Sequence, residues 1–144
     1  MKGIIGTNTV VQVAFVVKDI EVTKQKFADF LGVEPPENYL ADKNPHTVVN
    51  GKPAPDAACI LAFFDAGPGL QIELIQPNGV KSVWQDVLDE KGEGFHHIAF
   101  GGGIGLEDKI QACEDSGMKC VQKGDGYAYV DATADLKCLI EIFN

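Results

Sequence analysis

The chain repeats itself, and that constrains its fold more than any other feature, because whatever one half forms the other must form too. Residues 10–18 read VVQVAFVVK and residues 95–101 read FHHIAFG, so Gln12-Val13-Ala14-Phe15 aligns with His97-Ile98-Ala99-Phe100 on a shared apolar–Ala–Phe pattern. Each segment leads into a helix-like stretch. The first runs from Glu21 to Leu31 and stops at Gly32; the second runs from Leu106 to Asp115, with Gly117 just beyond. Glycine there suits the left-handed turn that ends a helix. The far ends correspond as well: LQIELI at 70–75 resembles CLIEIF at 138–143, which sets Glu73 against Glu141.

Between these ends lie further strand candidates, at 57–65 in the first half and at 118–123 and 126–131 in the second. Both halves therefore read strand, helix, then two or three strands. The expected class is α+β: two tandem βαβββ modules, 8–76 and 93–144, joined by 77–92 and forming one domain over residues 1–144. A chain of 144 residues that is 45% hydrophobic can bury the core this requires. Within the joint, SVWQDVLDEKG predicts a short helix with Trp84 and Val87/Leu88 on one face. The first half is longer, and its surplus falls in the Pro/Asn-rich residues 35–56, a loop or lid by composition.

Side chains alternate between the faces of a strand. Glu73 therefore points away from Ile72 and Leu74, and Glu141 away from Ile140 and Ile142. A carboxylate amid apolar strand residues is costly to desolvate unless it is paired or bound to a metal. Two such glutamates at equivalent places in a repeat call for a shared reason. Gln12 and His97 occupy the other equivalent places. Together Gln12, Glu73, His97 and Glu141 make an oxygen-and-nitrogen ligand set suited to one divalent ion. His96, adjacent to His97, is expected on the opposite face, and His46 in the long loop is expected in solvent.

Charge removes several function classes. The net charge is −9, which argues against nucleic acid and anionic membranes as partners. All 12 basic residues are lysine and none is arginine, the usual two-pronged clamp for carboxylates and phosphates. The four cysteines, Cys59, Cys113, Cys120 and Cys138, form no C-x-x-C pair and are expected as reduced, structural thiols. The N-terminal MKGIIGTNT has no apolar signal core, and no segment is long and apolar enough to span a membrane, so the expected location is the cytoplasm.

Taken together, QVAFVVKDIE followed by a helix and FLGV, then LQIELIQP, GEGFHHIAF and LIEIF, resembles the vicinal oxygen chelate (glyoxalase, bleomycin resistance, dioxygenase) superfamily over about residues 8–143. The ELIQP and GEGFHHIAF segments look most like its methylmalonyl-CoA epimerase branch. The resemblance implies a curved sheet around a metal-binding cleft, with metal ligands at Gln12, Glu73, His97 and Glu141. The epimerases usually carry histidine in the first slot; glutamine there is similar to the zinc glyoxalase I pattern. Zinc, nickel, cobalt, manganese and magnesium all remain open as the ion.

The resemblance further implies proton transfer next to a carbonyl, epimerase-like or lactoylglutathione lyase-like, with Glu141 as the first choice of base and Glu73 as the second. The expected substrate is a small 2-oxo or 2-hydroxy compound or an acyl thioester. Two alternatives compete. A drug-sequestering binder of the bleomycin-resistance type needs no metal; an iron extradiol dioxygenase needs a second histidine where Gln12 stands. The Gly101–Gly103 run and Gly105 precede a helix without a G-K-[ST] and read as a plain turn. A homodimer is expected because strands with an apolar outer face are rarely left uncovered.

Overall fold

The computed structural model describes residues 3–144; Met1 and Lys2, which open the stretch read above for a signal core, lie outside the described residues. β1 (Thr9–Val16) leads into α1 (Ile20–Leu31). Asp19 caps this helix by accepting from the Glu21 and Val22 amides, and Gly32 ends it in the left-handed conformation with φ 71°. The first half then continues through β2 (Tyr39–Ala41), β3 (Val48–Val49), β4 (Lys52–Pro53), β5 (Cys59–Asp65) and β6 (Gln71–Pro77). The joint holds α2 (Val83–Lys91), capped by Ser82. The second half is β7 (Gly94–Gly101), α3 (Leu106–Asp115), β8 (Lys119–Gly124), β9 (Tyr127–Asp131), the single turn α4 (Thr133–Leu136) and β10 (Leu139–Phe143).

These ten strands make one strongly curled sheet in the order β2-β5-β6-β1-β7-β10-β9-β8-β3-β4. The order displays the repeat: β2-β5-β6-β1 on one side mirrors β8-β9-β10-β7 on the other, and β1 meets β7 antiparallel at the centre. The register repeats too. Glu73 lies beside Ala14 and Glu141 beside Ala99, in both cases across a parallel pair. The α+β class and the curved sheet expected from the sequence are what the chain forms.

Helices cover the outer face. α1 buries Ile20 and Ala28 against Phe64 and Leu74, with Phe27 between Phe15 and Phe64 at ring separations of 5.9 and 5.8 Å. α3 buries Leu106 and Cys113 against Val130, Ile140 and Ile142. The helices cover part of the apolar outer face, while Val22, Phe30 and Val33 on and beside α1 stay exposed. Inside the curl, α2 buries Val83 and Trp84 against Ala14, Ile75 and Tyr129, filling one end and leaving the other open. No helix among the described residues is long and apolar enough to cross a membrane.

Residues 35–56 differ from the loop expected by composition. β2 pairs with β5 at one edge of the sheet, whereas the β3–β4 hairpin pairs with β8 at the other. The intervening residues 42–47 therefore form a strap that runs from one edge to the other. Asn50 and Gly51, with φ of 51° and 76°, supply the two-residue turn that makes the hairpin possible.

Candidate metal centre

The four residues singled out by the repeat meet at the His97 imidazole. Its Nε2 lies 3.2 Å from Gln12 Oε1, 3.2 Å from Glu141 Oε1 and 3.8 Å from Glu73 Oε1. His97 is fully buried, and Gln12, Glu73 and Glu141 are each at most 6% exposed. All four belong to one chain, so the site needs no second copy to assemble.

The neighbouring histidine is where the structure corrects the sequence. Strand alternation sends His96 to the face opposite His97. Instead, Ala14 pairs with His97 and Phe15 with Phe95, so a register shift leaves His96 as the extra residue of a bulge. Both rings consequently turn to the same side. His96 Nδ1 lies 2.8 Å from His97 Nδ1, and His96 Nε2 lies 3.2 Å from the Val83 carbonyl.

That arrangement dictates where the protons sit. A carbonyl only accepts, so His96 Nε2 carries the hydrogen. Burial, reinforced by His97, pushes the His96 pKa down to about 3, so the ring is neutral and its Nδ1 is a lone pair. His97 Nδ1 must then donate to it. On a neutral His97 this leaves Nε2 as a lone pair, facing three side-chain oxygens. Gln12 adds to the pattern: its Nε2 is turned to Gln71 Oε1 at 3.5 Å, and its Oε1 faces the histidine. With Nε2 turned to them, His97 joins Gln12 Oε1 and two buried carboxyls in a donor set suited to a cation.

Spacing is compatible with a metal cation. Two donors bound at about 2.1 Å to one ion lie roughly 3.0–3.4 Å apart in octahedral or tetrahedral geometry. The 3.2 Å separations to Gln12 and Glu141 fit that range, whereas Glu73 at 3.8 Å must turn inward. Among the described residues no three His, Cys, Asp or Glu are spaced as a ready-made cage, so the fit depends on Gln12 as the fourth donor. Glu73 carries the strain of the cation-free state. Desolvation, together with the Glu141 charge, raises its pKa well above the ordinary carboxylate value, and a Gln12 hydrogen bond offsets part of that.

Above this floor lies a cleft of about 610 Å³. Tyr127 and Tyr129, two residues apart on β9, face into it beside Glu141. Trp84 Nε1 donates to Tyr129 Oη at 2.9 Å, and Gln122 Nε2 donates to Tyr127 Oη at 3.0 Å, while Gln122 Oε1 accepts from the first amide of α2. Each phenol is thus an acceptor from the protein and keeps its own hydrogen to offer. Burial holds that hydrogen in place, raising Tyr127 to about 12 and Tyr129 well above the ordinary phenol value. Gly124 opposite leaves room for the Tyr127 ring, which a Cβ there would overlap.

The strap roofs the cleft. Asn44 Nδ2 donates to Asp125 Oδ2 at 2.8 Å, and His46 Nδ1 lies 3.1 Å from Asp125 Oδ1 in the β8–β9 turn. His46 is exposed, as expected, but it helps to latch the strap. The Gly101–Gly103 turn is tied to the N-terminal segment, Thr7 Oγ1 donating to the Gly101 carbonyl at 2.8 Å. His96, Gln71, Gln122, Tyr127 and Tyr129 were not singled out by the sequence reading. The alternation Tyr127-Ala128-Tyr129 leading toward the Glu141 strand was the available signal for two of them.

The model of the Glyoxalase/Bleomycin resistance protein/Dioxygenase superfamily matches residues 11–133 of the chain. Among curated proteins, the uncharacterized protein YqjC of Bacillus subtilis (strain 168) is 36% identical over 63 residues, a match that spans 44% of each chain. Among solved structures, the hypothetical protein BH1468 from Bacillus halodurans C-125 superposes with a TM-score of 0.63 at 19% identity, covering 95% of this chain and 94% of that one. A Streptomyces coelicolor methylmalonyl-CoA epimerase variant in complex with 2-nitronate-propionyl-CoA gives a TM-score of 0.63 at 18% identity, covering 94% and 92%. At such identities the structural likeness concerns the fold.

Proposed function

The chain belongs to the Glyoxalase/Bleomycin resistance protein/Dioxygenase superfamily, and on that premise we propose that it is a metal-dependent isomerase or lyase that transfers a proton on carbon next to a carbonyl. Gln12, Glu73, His97 and Glu141 would hold the ion, within one catalytic unit made of modules 8–76 and 93–144 and the joint 77–92. A divalent cation bound there supplies Lewis-acid polarisation of a carbonyl and stabilises the negative charge that develops beside it.

The chain's own groups supply the proton transfer. Glu141, at the end of the cleft floor beside Tyr129, is placed to take a proton from the substrate carbon. Glu73, the other carboxylate of the cluster, would return it. Tyr127 and Tyr129 hydroxyls can donate to a developing oxyanion. Gln71 orients the Gln12 amide, His96 orients His97, and the strap keeps water from the reacting atoms.

The observation that carries this reading is the meeting of one imidazole, one amide oxygen and two buried carboxyls at the base of an aromatic cleft. A drug-sequestering binder has no use for it, and an iron dioxygenase lacks its second histidine at Gln12. The reading includes a homodimer, which light scattering checks. Protein purified without chelator should contain about one divalent ion per chain. Incubated in deuterium oxide with a panel of 2-oxo acids and acyl-CoA thioesters, it should exchange hydrogen at the carbon next to a carbonyl. A metal-free protein, indifferent to chelator and inert to the whole panel, sinks the proposal and favours the binder.

A further inference from the structure

Building on that proton-transfer reading, we infer that the substrate is a compact carbonyl compound with an aryl-sized apolar body and a single anionic group held by Lys43, rather than a thioester with a phosphate-bearing tail.

The cleft's walls set the body of the molecule. Tyr39, Phe63, Trp84, Tyr127, Tyr129 and Phe143 line it, so aromatic residues meet the ligand from both halves and from α2 in the joint. The rings are fixed against each other: Tyr127 stacks on Trp84 at 6.3 Å and 26°, and Trp84 meets Tyr129 edge-on at 87°. Such rigid, flat surfaces select a planar or slender apolar group. About 610 Å³ lies within the range of small-molecule sites and suits one compact ligand.

Charge sets the rest. Asp42, Glu73, Asp125 and Glu141 line the cleft, and among the described residues that line it Lys43 is the one cation. Four of the other lysines are committed elsewhere: Lys24 to Glu21, Lys81 to Asp86, Lys123 to Glu107, and Lys109 to the Phe143 carbonyl. A tail with several phosphates needs a cluster of cations along its path. Here it meets a strap bearing one lysine, on a chain of net charge −9 without arginine. A single carboxylate needs only one partner. Lys43 lies in the strap between β2 and the Asn44 and His46 contacts to Asp125, so the latch that holds the roof also fixes the backbone that carries this exposed lysine at the cleft's edge. The anionic group is therefore placed at the roof, and the carbonyl at the floor between the carboxyls.

Trp84 is the only tryptophan of the chain and lines the cleft, which makes binding readable without catalysis. The probes are 5-oxo-5-phenylpentanoate, in which three methylenes separate the carboxylate from the carbonyl, its methyl ester and propionyl-CoA, titrated by tryptophan fluorescence into purified protein, metal-loaded and metal-free. The oxo acid is expected to quench and saturate. K43Q should weaken it about tenfold, as loss of a charge-assisted hydrogen bond does, while the ester binds both proteins equally. Propionyl-CoA should bind more weakly than the oxo acid. Equal affinity of K43Q and the parent for the oxo acid overturns the inference, and so does tighter binding of propionyl-CoA. Deuterium exchange separates this failure from that of the underlying reading. Exchange into the thioester alone leaves proton transfer standing and removes the compact substrate. Lys43-dependent binding without exchange into any probe does the reverse.

Discussion

Glu73→Gln is expected to stabilise the cation-free protein at neutral pH while abolishing its response to metal. The side chain is 5% exposed, and burial and Glu141 both disfavour its charge. The sign follows from where the protons are. Below the ordinary value of 4.5 both folded and unfolded chains are protonated at this carboxyl and it costs nothing. As pH rises past that value the unfolded chain loses the proton while the folded one keeps it, so stability falls until the folded carboxyl ionises too. One retained proton corresponds to about 1.4 kcal/mol per pH unit. For a domain near this size that is roughly 3–5 °C in Tm for each unit.

Chelator-treated parent and E73Q proteins, melted at several pH values between 4.5 and 7.5, should therefore diverge with rising pH, the variant gaining. Adding a divalent ion to a hundred times its Kd should raise the parent by about 2.7 kcal/mol, which offsets about two pH units of that loss, and should do little for E73Q. Parallel melting curves across that pH range would refute the argument that a cation must neutralise this cluster.

Three further perturbations probe what surrounds it. H96A removes the acceptor that fixes the His97 tautomer and should weaken metal binding about ten- to a hundredfold, measured by chelator competition, with the fold retained. W84F deletes the donor to the buried Tyr129 hydroxyl and should cost about 1–3 kcal/mol in urea denaturation. D125A cuts both strap contacts; because the His46 pair is exposed, stability should change by less than about 1 kcal/mol, while amide exchange at residues 42–47 rises.

How much of this was legible beforehand follows from which signals are periodic. The fold was legible because duplication doubles every weak strand or helix signal: VVQVAF and FHHIAF support each other, and the second helix falls on Leu106 to Asp115 as the sequence places it. The convergence of Gln12, Glu73, His97 and Glu141 was legible for the same reason, since equivalent strand positions in a mirrored sheet face one cleft. Two features escaped. The strap read as a loop because proline and asparagine dominate its composition, yet Asn50-Gly51 between Val49 and Lys52 was a hairpin signal in plain view; what no local rule reveals is that this hairpin pairs with the opposite edge of the sheet. His96 escaped because alternation assumes a regular ladder. A bulge breaks that rule by one residue, and here the break brings a second imidazole behind the first. That irregularity has a chemical consequence a regular strand lacks: it commits Nδ1 of His97 to His96, and so leaves Nε2 to meet Gln12, Glu73 and Glu141 at one point.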